Sequence, residues 1–558
     1  MSSLLQDVRF ALRQARSHPG FTLVVIVVLA LGVGANAAIF SVVNPTLLQP
    51  LPYPDPSGLV LLWERDVLAE GGGQNIVSMP SFLDWQKQSG SFEGMAAARG
   101  NQFNLGGDRG FAPERIEGAI VSGTLLPVLG VQPLIGRNFR PEEDQNGGPR
   151  VTLISHRLWQ SRFGGAKDIL QRSIRLDDQS YQIIGVMPRN FSYPRRDTQV
   201  WAPIQQVLSK ETIANRGDHE FYVLARLRHG VSIEQARTEL EGIQHRLWET
   251  YGKGTFGRGA MVSLLAERII GSFQTTLRVL LGAVACVLLI ACVNIANLLL
   301  ARGSQRQREV AIRAALGARW SRLVRQLLTE AVSLSLAGAA LGLLLAWFLT
   351  DYLAGRAKIL LNARGDFDAS GNIHLDGWVF LFTAVIALVA GIATGIVPAL
   401  QAARADLTIR LKDNSRSTTA GRGQNRFRYA LITAEVALSL VLLISAGLLL
   451  RSFIALRNVH PGVRTDDILT AGLSLPDARY AKRELIAAFH RQLVDGLRAL
   501  PGVRSTGLVS CLPVTGWCGD NTFNIEGRPL PPGQFFDAIN RAASPDYFST
   551  AGIPILRG

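Results

Sequence analysis

The sequence predicts a polytopic α-helical membrane protein with a large α+β domain outside the cytoplasm. Three observations carry this prediction: five long apolar runs, arginines clustered beside alternate runs, and a mixed polar block of more than two hundred residues. A bilayer core of about 30 Å needs about 20 apolar helical residues. The runs that reach this length are residues 21–43, 279–300, 331–349, 378–400 and 430–450, and the only charged residue in them is Glu435.

The first run has two interpretations. A basic leader precedes it, and Ala35–Asn36–Ala37 mimics the cleavage site of a signal peptide. The apolar core of a signal peptide is only about 7–15 residues long, however, and this run is longer. The sequence therefore favours a membrane-spanning helix that is retained.

Arginine and lysine give the orientation, because they accumulate in the cytoplasmic loops of membrane proteins. Clusters precede the first run, separate the second from the third, and separate the fourth from the fifth. All three clusters fall on one side, which we expect to be the cytoplasm. Residues 44–275, 350–377 and 451–558 then face outward. The net charge of +15 is explained by this topology, and no nucleic-acid-binding pattern accompanies it.

The outward block 44–275 shows both kinds of secondary structure. Residues 174–176 and 181–184 alternate apolar and polar around a turn, which predicts a hairpin, and 221–227 predicts a strand. A helix is expected near Ser81. Another begins at Ser232, where Gln235 completes a capping box and apolar residues follow at spacings of three and four. Its tryptophans are interpreted as core residues rather than as a ligand cage.

An internal repeat links the two largest outward segments. The stretch "VSGTLLPVLGVQPLIG" (121–136) aligns without gaps with "ASPDYFSTAGIPILRG" (543–558). Each copy follows a membrane span, so the second outward segment is expected to copy the first. The chain stops at the residue that matches Gly136, and we expect it to be a fragment.

Catalytic motifs are missing from the sequence. It contains no GxxxxGK[ST] loop, no H-E-x-x-H pair and no G-x-S-x-G elbow. The histidines are scattered, and none is spaced from another as metal ligands are. We therefore predict no enzyme activity, metal or cofactor for this chain, and a membrane-anchored enzyme is disfavoured.

The cytoplasmic stretch 301–332 predicts a short helix over 307–316 that Gly317 ends. A helix this short is marginal in water and needs a partner surface. The residues alone leave two partners open, the lipid headgroups and a groove on another protein.

Small and polar residues within the spans suit close helix packing. Gly32 and Gly34 lie in the first span, and Asn294 and Asn297 lie one turn apart in the second. Ordinary packing is favoured over a substrate site. Cys511 and Cys518 lie in an outward segment where a disulfide can form, although sequence does not supply the geometry.

The stretch "REVAIRAALGA" (308–318) resembles the coupling segment of MacB/FtsX-type ABC transporter permeases. The strongest resemblance is to the duplicated acidobacterial permeases called ADOP permeases. It rests on "LLQPLPYPDP" (47–56), "FLDWQKQSGSFEGMAA" (82–97), "SHRLWQSRFGG" (155–165), "GVSIEQARTELEGI" (230–243) and "ALITAEVALSLVLLISAGLLLRS" (430–452).

The resemblance implies a domain order. It runs from a cytoplasmic amphipathic segment (1–20) through a transmembrane helix (21–43), a MacB-like periplasmic core domain (44–275), an FtsX-like permease domain (276–402, with coupling segment 301–325), a basic cytoplasmic linker (403–429) and a transmembrane helix (430–450) to the start of a second, incomplete periplasmic core domain (451–558).

The resemblance also implies partners and a site. A separate P-loop ATPase subunit would use the ATP in the bacterial inner membrane and would dock on Arg308, Glu309, Ile312, Arg313, Leu316 and Gly317. Further candidate partners are the lipid bilayer, a periplasmic adaptor and a second permease chain; nucleic acid is not expected. The expected function is efflux or substrate extraction, and the alternative is an FtsX-like signalling partner of an ATPase.

Overall fold

The structure is a computed structural model that divides the chain into two units. It describes residues 2–44, 51, 53–65, 74–107, 112–195, 197–252, 257–305, 320–361, 376–403, 422–475, 477–480, 482–513, 520–523, 525–528 and 536–557. One unit, the membrane unit, comprises Met1–Gln49, Ser272–Leu360 and Gly371–Val459. The other, the outward unit, comprises Pro50–Gly271, Leu361–Ser370 and His460–Gly558.

The helices are numbered along the described residues. They are α1 (Ser2–Ser17), α2 (Pro19–Val43), α3 (Met79–Gln88), α4 (Leu125–Leu129), α5 (His156–Phe163), α6 (Ile204–Val207), α7 (Lys210–Ala214), α8 (Ile233–Tyr251), α9 (Leu265–Gln305), α10 (Trp320–Leu361), α11 (Gly377–Ala403), α12 (Arg422–Arg457), α13 (Asp477–Tyr480), α14 (Arg483–Arg498) and α15 (Tyr547–Thr550). Short 3₁₀ turns occur at Pro56–Gly58, Pro141–Asp144 and Ile169–Gln171.

Five helices in the described residues are long and apolar enough to cross a membrane. Their spans are Pro19–Val43, Gln274–Leu299, Val324–Thr350, Gly377–Ile396 and Ile432–Arg457. Helices suit this environment because they satisfy every backbone hydrogen bond within one segment. The prediction of a polytopic protein with five transmembrane helices is confirmed.

The outward unit contains a large mixed sheet. Its strands and those of a separate hairpin are β1 (Leu59–Arg65), β2 (Gln74–Asn75), β3 (Val77–Ser78), β4 (Phe92–Leu105), β5 (Glu114–Val121), β6 (Ile135–Gly136), β7 (Val151–Ile154), β8 (Ser173–Leu176), β9 (Gln179–Val186), β10 (Val200–Pro203), β11 (His219–Leu227), β12 (Gly259–Leu264), β13 (Asp520–Phe523) and β14 (Phe536–Ile539). The main sheet has the order β12-β1-β11-β4-β5-β10-β7-β9-β6. Its pairs β5–β10 and β7–β9 are parallel.

Both faces of this sheet are covered, so β1 buries side chains on both of them. In β1, Val60 and Leu62 belong to the core under α3 and α8, whereas Leu61 and Trp63 belong to the core under α4. Successive side chains of a strand point to opposite faces, which explains the split. Trp85 and Trp201 are fully buried, one in each core, as the core interpretation predicted.

The local predictions for this domain hold, with shifted boundaries. Strands β8 and β9 form the predicted hairpin, but its turn is only Asp177–Asp178, with φ of 49° and 63°. Aspartate tolerates this left-handed conformation, which lets a two-residue turn close the hairpin. The capping box at Ser232 and Gln235 is confirmed. The helix expected near Ser81 begins at Met79, because the Ser78 hydroxyl accepts its N-terminal hydrogen bond.

The repeated stretch forms the same hydrogen bonds in both copies. The Ser122 N–H donates to the Ala97 carbonyl, and the Ser122 hydroxyl accepts the Ala97 N–H, at 2.9 and 3.0 Å. Ser544 makes the same two bonds with Leu508, both at 2.9 Å. Each serine precedes a one-turn helix, α4 or α15, that ends before a left-handed glycine, Gly130 or Gly552.

The structure reveals a second match between the copies. The β13–β14 hairpin has the register of the β4–β5 hairpin, since the Asn521–Ala538 and Phe523–Phe536 pairs match the Asn101–Gly118 and Phe103–Ile116 pairs. The sequences "NQFNL" (101–105) and "NTFNI" (521–525) also correspond. The second outward segment thus repeats a hairpin, a serine bridge and a one-turn helix of the first.

A buried ion pair between β1 and β11 is the basis of a pH prediction. His219 Nε2 lies 3.0 Å from Oε2 of Glu64, whose side chain is fully buried. Burial opposes the charged imidazole, but the hydrogen bond and charge of Glu64 prevail and raise the pKa of His219 above 6.5. A raised histidine pKa adds stability below the unfolded-state pKa, and this stability is lost as pH rises through the folded-state pKa.

We predict that His219→Gln destabilises the chain by about 1–3 kcal/mol at pH 6 and by less at pH 8.5. Glutamine can still donate to Glu64 but does not titrate. Urea unfolding in detergent, followed by tryptophan fluorescence at both pH values, measures the difference. His245→Gln, at an exposed site of α8, is the control and should leave the pH profile unchanged. An equal loss at both pH values would contradict the prediction.

Candidate functional site

Helix α2 is the centre of the membrane unit and contacts α9, α10 and α11. Twelve of its 25 residues are buried. Val25 and Leu29 lie in one apolar cluster with Ile295 of α9 and Leu334 of α10. The run that mimics a signal peptide is therefore the helix around which the other three pack.

Glycines allow α2 and α10 to touch through their backbones. A Cβ added to Gly34 would lie 2.8 Å from the carbonyl oxygen of Gly342, and one added to Gly342 would lie 2.8 Å from that of Ala30. A Cβ on Gly338 would lie 2.5 Å from Leu29 Cβ. No side chain fits at these points, so the helices depend on glycine for this approach.

Helix α9 packs on another side of α2. A Cβ on Gly32 would meet Leu288 Cδ1 at 3.2 Å and Ala291 Cβ at 3.4 Å. Asn36 Nδ2 donates to the Val284 carbonyl at 2.9 Å and to the Gly32 carbonyl at 2.8 Å. Asn36, which in the sequence mimics part of a cleavage site, thus forms a hydrogen bond between α2 and α9. The sequence analysis missed this role.

Helix α11 completes the bundle through aromatic and polar contacts. Phe40 and Phe382 stack with ring centroids 3.8 Å apart. Asn44 donates to Asp376 at 2.9 Å, just before α11 begins. Between α10 and α11, the Ser335 hydroxyl donates to the Ala387 carbonyl at 2.6 Å. These hydrogen bonds pair polar atoms that lipid could not satisfy.

The last strand of the sheet continues directly into a membrane helix. Strand β12 ends at Leu264, and α9 begins at Leu265 and runs to Gln305. Leu265 is buried in the core of the outward unit, and Ile295 of the same helix is buried in the bundle. One uninterrupted helix therefore has residues in both cores.

The structure describes only part of the residues that the sequence singled out. Arg308, Glu309, Ile312, Arg313, Leu316, Gly317 and Cys518 lie outside the described residues. Cys511 is disulfide-bonded, but its predicted pairing stays a prediction. Asn294 is partly buried, and Asn297 Oδ1 has no hydrogen-bond partner among the described residues. Asn36 makes an interhelical hydrogen bond to the Val284 carbonyl, and the packing role of Asn294 and Asn297 stays a prediction.

The outward unit has an open cleft of about 460 Å³, lined by Asp55, Glu93, Arg226, Leu227, Arg228 and His229. Arg226 has a structural role, because its guanidinium donates hydrogen bonds to the carbonyls of Pro54, Asp55 and Val128. Among the described residues, no group of three His, Cys, Asp or Glu side chains could hold a metal ion.

We predict that Gly34→Ala destabilises the bundle by about 1–3 kcal/mol, since the added methyl overlaps backbone that must shift. Gly20→Ala in the same helix is the matched control. A Cβ there has nothing within 4 Å, and alanine favours helix, so stability should stay level or rise. The melting temperature of each variant is measured by heating it in detergent with a thiol-reactive dye, which labels Cys286 and Cys292 as the bundle unfolds. Equal melting of the two variants would refute the glycine contact.

Family models match both parts of the chain. Residues 22–243 match the MacB-like periplasmic core domain, and residues 281–407 match the FtsX-like permease C-terminal domain. The first match covers most of α2 and most of the outward domain, and the second covers most of α9 and all of α10 and α11.

The chain is also similar to curated exporters and to a solved periplasmic region. It is 28% identical over 290 residues to the pyoverdine export ATP-binding/permease protein PvdT of Pseudomonas syringae pv. tomato, and 27% identical over 292 residues to the macrolide export ATP-binding/permease protein MacB 2 of Aeromonas hydrophila. Both matches cover 51% of this chain but only 41% of the relative. The periplasmic region of MacB from Actinobacillus actinomycetemcomitans aligns with 39% of this chain and 94% of its own, at 13% identity and a TM-score of 0.29.

The two domain matches occur in the same order along this chain as the outward domain and the helix bundle. The chain therefore belongs to the MacB/FtsX-type permeases, with a MacB-like periplasmic core domain followed by an FtsX-like permease domain.

Proposed function

We propose that this chain is the membrane subunit of an exporter in which a separate ATPase moves the periplasmic domain. The observation that carries the proposal is α9, which passes from strand β12 into the helix bundle without a loop. A helix with residues in both cores can transmit displacement along its length. The bundle around α2 would hold that helix while the motion passes.

ATP hydrolysis is assigned to another polypeptide. The curated relatives are named ATP-binding/permease proteins, whereas this sequence contains no GxxxxGK[ST] loop. The proposed contact is the coupling segment around Arg308, Glu309, Ile312, Arg313, Leu316 and Gly317. It follows α9 and precedes α10, which packs on α2 through Gly342.

Export is favoured over a purely signalling role. The matched relatives are named as exporters of pyoverdine and of macrolides. The substrate of this chain is left unassigned, because its cleft carries mixed charge and Arg226 there is bound to backbone carbonyls. The proposed location is the bacterial inner membrane, with α1 in the cytoplasm.

We also propose that the second outward segment, 451–558, begins a second periplasmic core domain. The matching hairpin register and the matching serine bridges support this assignment. Its apolar side chains are exposed at positions where those of the first copy are buried. Phe523 is 44% exposed, whereas Phe103, at the same position of its hairpin, is 1% exposed.

A purification tests the ATPase contact. The chain is isolated from its native membrane in mild detergent and scored for a co-purifying P-loop ATPase and for ATP hydrolysis. We predict that Arg313→Glu lowers the ATPase recovered per permease at least about tenfold, because reversing a charge in a docked face is costly. Lys412→Glu in the basic linker is the control and should retain the ATPase.

Full recovery with Arg313→Glu would reject this segment as the contact. Loss in both variants would assign the effect to net charge and reject it as well. The same purification shows whether a periplasmic adaptor or a second permease chain accompanies the complex.

Cysteine labelling tests the orientation. We predict that Lys167→Cys, on the surface of the outward domain, reacts with an impermeant maleimide in intact spheroplasts. Ser415→Cys, in the basic linker, should react only after the membrane is permeabilised. The reverse pattern would overturn the topology, and labelling of both in intact spheroplasts would place the linker outside.

A further inference from the structure

Helix α1 turns its one acidic residue inward. Asp7 is 6% exposed and accepts a hydrogen bond from Arg325 Nε of α10 at 2.8 Å. Ala11, one turn further on, is 5% exposed, which places it on the same packed face. The ion pair fixes the rotation of α1 about its axis and removes its negative charge from the surface.

The opposite face of α1 is basic and apolar. Arg9, Leu12, Arg13 and Arg16 are all exposed, with Leu12 at 57%. Their spacings of three and four place them in one stripe along the helix. Among the described residues, none of the three arginines has a carboxylate partner. The stripe therefore presents three uncompensated positive charges around one leucine.

The connection to α2 fixes the depth of this stripe. Only His18 separates α1 from α2, whose membrane span begins at Pro19. The Thr22 hydroxyl donates to the Ala15 carbonyl at 3.1 Å, across the bend. A helix tied this closely to a span lies at the headgroup level, where basic residues and an apolar side chain both find partners.

We propose that the stripe formed by Arg9, Leu12, Arg13 and Arg16 binds the headgroups of anionic phospholipids, with the Asp7–Arg325 pair holding it toward them. Charge complementarity selects this occupant, because the exposed face carries no acid. The leucine inserts beside the phosphates that the arginines contact. The inference is independent of the proposed ATPase coupling, since it uses only α1, α2 and α10.

Lipid retention tests the proposal on the full chain. The protein is reconstituted in equimolar phosphatidylcholine and phosphatidylglycerol, extracted in mild detergent, and the bound lipids are counted by native mass spectrometry. Wild type should retain phosphatidylglycerol preferentially. Arg9→Gln with Arg13→Gln should lower that preference about 25-fold, because each arginine near an anionic surface contributes about fivefold.

Three comparisons make the result specific. Arg451→Gln with Arg457→Gln removes two exposed arginines at the C-terminal end of α12 and should keep the preference. Arg9→Lys with Arg13→Lys keeps the charge and should also retain it. Asp7→Asn should weaken it, because the stripe loses its fixed orientation. An unchanged preference in the α1 glutamine variant, or an equal loss in the α12 variant, would overturn the assignment.

Discussion

The architecture of the membrane unit depends on how closely two helix backbones can approach. Apolar side chains gain little by leaving lipid for one another, so association in a membrane relies on packing contact and interhelical hydrogen bonds. Here the contact is made where Gly34 meets Gly342, and the hydrogen bond is made by Asn36. Because α2 contacts three other helices, its small residues determine how the bundle closes around it. Among the described side chains of the fifth span, in α12, none is buried, so this closure does not include it.

The outward unit shows how one supersecondary pattern serves in two settings. In the first copy, the β4–β5 hairpin is enclosed by neighbouring strands and by helices on both faces. In the second, the same register is formed by β13 and β14, but Phe523 stays partly exposed. The serine bridge joins residues 25 apart in the first copy and 36 apart in the second, and it forms in both, as does the glycine-ended turn. Burial of the apolar face differs between the copies, since it needs strands such as β11 and β12 that close the core of the first copy.

Much of this organisation could be predicted from the sequence, and the limits are physical. Membrane spans can be recognised in the sequence because an uncharged run of about 20 apolar residues is long enough to cross a bilayer and is rare in water-soluble domains. The capping box at Ser232 is legible because its atoms lie within four residues. The role of Asn36 could not be predicted, because its partner Val284 is far away in the chain. In the sequence it resembles only part of a cleavage signal. The match of 521–525 with 101–105 is hard to detect in the sequence because an unaligned insertion separates it from the aligned repeat. The residues proposed for coupling lie outside the described part, so their role stays a proposal that rests on resemblance.

The joint between β12 and α9 constrains how this protein can vary. An α-helix turns about 100° per residue, so one inserted residue after Leu265 would rotate every later side chain of α9 by that angle. Val284, Leu288 and Ala291 would then leave the face that α2 contacts. A loop at the joint would absorb such a change, but none is present. Length variation among natural homologues should therefore be concentrated in the surface loops. The stretch from Gly259 to Ala291 should keep a constant length, because any insertion or deletion there would rotate the side chains of α9 away from α2.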